Sequence, residues 1–193
     1  MGVYIFTPED LLRYGTITKE QLEILRREVE NKGDIIIIGG TRAGKTKLIE
    51  AITFLIPEDW KIAVITAYNE FKPFKENIKV INTEFDGRSV ESRTNDVIAE
   101  ITKIDPDYVI IDVLHTINVA EVLRRLMDKY GFIVTSLALS RDISGEIKHW
   151  LKIDDELLKK FEIIVELYRD VKTGLRKVNA IYRIKDGKLE KIS

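Results

Sequence analysis

One stretch limits what this chain can fold into: Ile35-Ile36-Ile37-Ile38-Gly39-Gly40-Thr41-Arg42-Ala43-Gly44-Lys45-Thr46. Four β-branched residues run straight into a glycine-rich turn and then a helical pattern. The isoleucine run reads as a parallel strand, apolar on both faces and buried on both. Gly39, four further residues, then Gly44-Lys45-Thr46 is the spacing of a phosphate-binding loop. Gly39 and Gly44 let the backbone turn tightly and aim its N–H groups inward at phosphate oxygens. The expected cradle is Gly39, Gly40, Thr41, Arg42, Ala43, Gly44, Lys45, Thr46 and Lys47. Lys45 supplies a cation for the phosphates, and the Thr46 hydroxyl can join a Mg²⁺ shell. A helix from about Lys45 to Leu55 presents its N-terminus to the same anion.

The remaining pattern sets this loop in an α/β chain. Thr7 caps a short helix with Pro8 in its first position, and Thr18-Lys19-Glu20-Gln21 has capping-box spacing. Leu22, Ile24, Leu25 and Val29 line one face of the second helix, which Gly33 closes. Met1 to Phe6 reads as an edge strand or a docked arm. Strands are expected at 61–66, 78–81, 108–112, 132–138 and 162–168, with helices at 90–104, 118–130 and 143–158, the last in two pieces. Thr173-Gly174 and Asp186-Gly187 read as hairpin turns. The expected architecture is a RecA-like P-loop NTPase fold: a mostly parallel central sheet flanked by helices, with C-terminal antiparallel hairpins. Residues 1–33 read as a helical lead-in packed on a core of residues 34–193, all within a single domain.

Composition removes some chemistries. The 193 residues contain no cysteine, which excludes disulfides and thiolate catalysis. The formal net charge of −1 gives no global basic field for nucleic acid, and the pairs Arg124-Arg125 and Lys159-Lys160 are too small to argue for one. No apolar run approaches the ~18–20 residues of a membrane-spanning helix. The N-terminus lacks a signal-peptide pattern, so the expected location is cytoplasmic. Abundant Ile, Lys and Glu point to a heat-adapted source.

An acid is needed to hold a metal's water shell. Asp112 is best placed, because four apolar residues precede it and ligands gather at the carboxyl ends of parallel strands. The next residue is Val113, so a water-activating base must come from elsewhere. Glu70, beyond the 61–66 strand, leads that search. Thr135 is either a γ-phosphate sensor or an ordinary strand residue, and Arg88, Arg93 and Arg141 are candidates for an arginine finger. Thr102-Lys103-Ile104-Asp105 matches a guanine-reading pattern but ends a helix, so it is set aside. His115 and His149 are too isolated for zinc, and Trp150 reads as packing or a docking patch.

These residues resemble the type II/IV secretion ATPase superfamily, the hexameric motors of pili, archaella and secretion systems. The resemblance runs from about Thr7 to Ile184. It rests on Thr7-Pro8-Glu9-Asp10-Leu11, Tyr14-Gly15-Thr16-Ile17, the phosphate loop, Ile56-Pro57, Pro106-Asp107-Tyr108-Val109-Ile110, Thr135 with Ala138 and Ser140, and Leu175-Arg176-Lys177-Val178. The departures are specific. Arg42-Ala43 stands for Gly-Ser, Thr66-Ala67 for an acidic pair, Asp112-Val113 for Gly-Glu and Leu137 for His. The family's large N-terminal domain has no counterpart in the first 33 residues. The resemblance implies ATP and Mg²⁺ as cofactors, and Lys45, Glu70 and Asp112 as catalytic residues, with Thr46 and Asp112 at the metal. It also implies a homo-oligomer, a hexamer in the resembled family, working with a membrane-complex protein. Tyr4, Phe6, Tyr14 or a neighbouring chain would hold adenine. Against hydrolysis coupled to assembly or transport stands a nucleotide-binding switch or assembly subunit with little turnover, which Val113 and Leu137 favour.

Overall fold

The computed structural model describes residues 4–193. Strand β1 (Ile35–Gly39) is central, with β5 (Gly131–Ser136) and β6 (Ile163–Arg169) hydrogen-bonded in parallel on its two sides. Ile35 to Ile38 have no exposed surface. Each isoleucine gains about 1.5–3 kcal/mol from burial, which the helices covering both faces of the sheet complete. Beyond β5 come β4 (Tyr108–Asp112), β2 (Ile62–Ala67) and β3 (Ile78–Thr83), all parallel. Beyond β6, the antiparallel strands β7 (Arg176–Lys185) and β8 (Lys188–Lys191) complete the order β3-β2-β4-β5-β1-β6-β7-β8. This is the doubly wound sheet with an antiparallel extension expected from the sequence.

Alternation along β1 divides the core in two. Ile35 and Ile37 meet α1 (Pro8–Arg13), α2 (Lys19–Glu30) and α3 (Lys45–Thr53) through Leu11, Leu25, Val29, Leu48 and Ile52. Ile36 and Ile38 face α4 (Val90–Ile104), α5 (Val119–Leu126), α6 (Ile143–Leu151) and α7 (Asp155–Leu158). Both capping boxes form, with Thr7 accepting from Asp10 and Thr18 from Gln21. The lead-in helices therefore share the core of the phosphate-loop face.

Several local expectations need correction. Residues 1–3 lie outside the described residues; Tyr4 to Phe6 form no strand. The Phe6 N–H donates to the Glu50 carboxylate at 3.4 Å and its ring packs on the core, as a docked arm would. Helix α5 ends at Leu126, four residues before Tyr130, because Met127 and Tyr130 turn inward to be buried. Gly131, which directly follows the 118–130 pattern and reads there as a helix stop, opens β5 instead. A Cβ there would lie 3.1 Å from the Lys32 carbonyl and 3.2 Å from the Tyr108 ring, so close packing is what demands glycine. β3 runs two residues further, to Thr83, and β5 stops at Ser136.

The amino edge of the sheet is tied by Asp34. Its carboxylate accepts the Phe132 N–H at 2.7 Å, and its carbonyl accepts the Glu162 N–H at 3.0 Å, so one residue links β5, β1 and the approach to β6. The Glu162 carboxylate accepts the Asp34 N–H in return. Burial pushes Asp34 up to about 7, with nearby Glu162 adding to the rise and the Phe132 N–H opposing it. An acid raised on folding holds a proton that the unfolded chain releases near ~3.9, so stability declines as pH rises from there through the folded value. The melting temperature is expected to fall between about pH 4 and pH 7, and Asp34→Asn to flatten that slope and gain stability at the upper end. Thermal melts of both proteins across this range check it; a wild type with no slope contradicts it.

Candidate functional site

At the carboxyl edge the sheet changes character in a single step. Val80, Val64, Ile110 and Ile133 stand in register across β3, β2, β4 and β5 as an apolar row. Two residues further along, the row becomes Asn82, Thr66 and Asp112, with Thr135 next on β5. A polar band thus faces the start of α3.

The phosphate loop rises from β1 over this band. A Cβ on Gly39 would sit 2.8 Å from the Leu167 carbonyl and 3.0 Å from the Ala43 methyl, so the loop can pass β6 only with glycine there. Arg42 (φ 62°) and Gly44 (φ 101°) take left-handed conformations that turn the chain into the helix. Every other helix among the described residues has a side-chain cap and an acid in its first turn; α3 has neither. Its first N–H groups have no side-chain acceptor, which suits an incoming anion.

Lys45 donates to the carbonyls of Gly39 and Gly40 at 3.0 and 3.1 Å. Burial lowers its pKa and the negative Asp112 opposes that shift. The Thr46 hydroxyl donates to one Asp112 carboxylate oxygen at 2.7 Å, and the Thr135 hydroxyl donates to the other at 2.8 Å. Four of the residues read from sequence therefore converge: Lys45, Thr46, Asp112 and Thr135. A hydroxyl and a carboxylate, both oxygen donors, fit a hard cation such as Mg²⁺, which takes one or two protein ligands and completes its shell with phosphate and water. Among the described residues no group of three or more His, Cys, Asp or Glu could hold a metal unaided.

Other candidates lie apart. Thr41 and Arg42 are exposed at the loop crest, and Ala43 is buried. Gly40 borders open space. Lys47 turns away to Glu50 at 2.8 Å and to the Tyr4 carbonyl at 3.3 Å. Glu70 is exposed, and its side chain makes no hydrogen bond among the described residues. It follows a turn in which Tyr68 and Asn69 have positive φ, held by Asn82 accepting the Asn69 N–H at 2.8 Å. Arg93 is buried, bonded to the Thr116 carbonyl and to Asp86, so it braces a loop. Arg88 pairs with Asp86 and Asp96. Trp150 packs between His115 and His149 and donates to Glu146.

Three residues gain a place that sequence reasoning did not assign. Arg176 donates to the Arg42 carbonyl at 3.1 Å and stands directly opposite Arg169 across the β6–β7 pair. The Arg169 Nε is buried without a partner among the described residues, as is the Thr66 hydroxyl. A bulge at Asn179 shifts the β6–β7 register and puts Arg176 on the loop's side of the sheet. The available signal was a pair of arginines flanking a six-residue turn. A cleft of about 300 Å³ opens beside α3, walled by Phe6, Tyr14, Ala43, Gly44, Leu175 and Arg176.

A family model described as "Uncharacterised conserved protein UCP018868" matches residues 1–193. A relative from Methanocaldococcus jannaschii, described as uncharacterized protein MJ1287, is 34% identical over 106 residues, 54% of this chain and 39% of the relative. Among solved structures, the VirB11 ATPase of the Brucella suis type IV secretion system, in complex with sulphate, matches with a TM-score of 0.65 and 16% identity, over 97% of this chain and 66% of that one. The pilus retraction motor PilT with bound ADP matches at 0.58 and 15%, over 93% and 53%. The Legionella pneumophila ATPase DotB matches at 0.56 and 13%, over 91% and 51%. These likenesses show the RecA-like P-loop fold, and this chain spans half to two thirds of the length of each structure.

The two adjacent loop glycines are expected to respond differently to alanine. Gly39→Ala must displace backbone and cost about 1–3 kcal/mol, whereas Gly40→Ala, with open space at its Cβ, stays within ~0.5 kcal/mol. Denaturant unfolding of both variants distinguishes them; equal losses would contradict the close approach seen at Leu167.

Proposed function

We propose that this chain, which belongs to the UCP018868 family, is an ATP-binding P-loop NTPase that hydrolyses ATP to ADP and phosphate. One observation carries the reading: Thr46 and Asp112 are already hydrogen-bonded at 2.7 Å beneath an uncapped helix N-terminus, with Lys45 folded over the loop carbonyls. Lys45 would exchange those carbonyls for phosphate oxygens. The loop N–H groups and the start of α3 would hold the phosphate chain. Thr46 and Asp112 would hold Mg²⁺, which when bound screens phosphate charge. Thr135, on the far oxygen of Asp112, would keep that carboxylate oriented. The cleft beside α3 suits a base between Phe6, Tyr14 and Leu175, with Arg176 at its phosphate end. The sulphate in the VirB11 structure and the ADP bound to PilT support an anion and nucleotide site in this fold.

Hydrolysis requires a water aligned with the terminal phosphorus. Glu70 can orient it only if the Tyr68–Glu70 turn moves toward Asp112. A specific observation therefore favours a second reading, a nucleotide-dependent switch or assembly subunit with slow turnover. Val113, directly after Asp112, is buried in the core on the opposite face, and the hydrogen-bonded set contains a single carboxylate.

Exposed Tyr68, Phe85, Leu139 and Val171 follow the carboxyl ends of four parallel strands on the same edge as the loop. A homo-oligomer closing over that edge, docked on a membrane complex from the cytoplasmic side, is the assembly these positions support. No helix among the described residues is long and apolar enough to cross a membrane.

Nucleotide affinity and phosphate release measured on the same samples test the reading. Lys45→Ala is expected to lose at least on the order of tenfold in Mg-ATP affinity, and Asp112→Ala to lose roughly 10²-fold in turnover. Glu70→Gln slows release only if the turn closes. Binding without phosphate release selects the switch. No binding by the wild type defeats both readings.

A further inference from the structure

Six threonines are buried: Thr53, Thr66, Thr83, Thr94, Thr116 and Thr135. Five have hydrogen-bonded hydroxyls. Thr53 donates to the Glu50 carbonyl, Thr94 to the Val90 carbonyl, Thr83 and Thr116 share a bond at 2.6 Å, and Thr135 reaches Asp112. Thr66 alone has none among the described residues, although it has no exposed surface. Its carbonyl is engaged by the Thr83 hydroxyl at 3.2 Å, so the strand is held while the side-chain oxygen is not.

Packing does not explain a hydroxyl at this position. The residues before it on the same face of β2 are Ile62 and Val64, and valine would fill the same volume. An unsatisfied buried hydroxyl costs about 1–3 kcal/mol. Such a group calls for an explanation, and an absent ion or water is the usual one. The position points to which. Thr66 stands directly beside Asp112 in register, on the face that carries Thr135 and looks toward Thr46. These are hard oxygen groups around the place where a small divalent cation would sit, and such a cation keeps several of its waters.

We propose that Thr66 is a positioning residue for the divalent cation: its hydroxyl bonds a water of the cation's shell, as the outer partner of Asp112. The proposal rests on the phosphate-site reading and adds a third strand to it. Glu70, on the exposed turn beyond the same strand, does not fill this place.

The test is a Mg²⁺ titration of nucleotide binding, with a fluorescent ATP analogue as probe, on wild type, Thr66→Val, Thr66→Ser and Lys45→Ala, alongside ligand-free melts. Thr66→Val is expected to melt at or above the wild-type temperature without ligand, since it removes an unpaired polar group. Its half-saturating Mg²⁺ should rise by about tenfold, with Thr66→Ser within about twofold of wild type. An unshifted Mg²⁺ response in Thr66→Val overturns the proposal. So does a ligand-free Thr66→Val that is less stable or fails to fold, since the hydroxyl would then have a structural role. An equal shift in Thr66→Ser, which keeps the hydroxyl, shows that the hydroxyl is not the cause and also overturns it. If Lys45→Ala loses binding while Thr66→Val responds normally, the phosphate site stands and only the Thr66 role falls. If wild type binds no nucleotide with Mg²⁺, both fall.

Discussion

The Asp112 carboxylate is held at both oxygens by hydroxyls from two different elements, and the carboxyl edge of the sheet depends on that bracket. Thr46 ties the start of α3 to β4, and Thr135 ties β5 to β4. Hydrogen bonds to a charged group contribute about 1.5–3 kcal/mol each, enough to hold loop, helix and sheet in one geometry without a ligand. The groups that would meet a phosphate and its cation are therefore already close together. Pre-organisation of this kind lowers the ordering cost of binding.

Charge is distributed with the same bias. Away from the loop several cations find acids: Lys32 with Asp107, Lys129 with Asp105, Arg183 with Glu28. Around the loop Arg42, Lys45, Arg169 and Arg176 form no ion pair among the described residues. Arg169 and Arg176 even face each other, an arrangement that like charges disfavour. Four cations without an ion pair among the described residues thus gather where an anion would be held, in a chain whose net charge is only −1. Bulk composition was silent on this because the asymmetry is local.

The architecture was legible because each element has a strong local signal. The isoleucine run, the Thr7 and Thr18 caps, the apolar strand ending at Asp112 and the glycine turns all point the same way, and the sheet order follows from the parallel crossovers. Lys45, Thr46 and Asp112 were legible because motif spacing encodes the loop and an apolar run encodes the strand beside it. What was not legible depends on tertiary contact. Side-chain type and strand position single out Glu70, but they do not show that the Tyr68–Asn69 turn leaves it exposed. Gly131 looks like a helix stop until the Tyr108 ring is seen against it. Thr66 resembles any β-branched strand residue until its hydroxyl is found beside Asp112, and Arg176 acquires a role only through a shift in strand pairing.

That shift has an evolutionary consequence. Asn179 is one extra residue on β7, tied to Glu166 at 2.9 Å, and it inverts the side-chain parity of everything on its turn-proximal side. With it, Val178 joins the core beneath the loop and Arg176 lies across the Arg42 carbonyl. Absorbing Asn179 into regular pairing would swap the two faces of that strand end, turning the guanidinium away from the loop. Deleting it would only straighten β7, with Val178 still opposite Leu167 and Arg176 still opposite Arg169. Length drift in this family should therefore be free in the 170–175 turn, and within β7 a one-residue loss should be tolerated at the bulge.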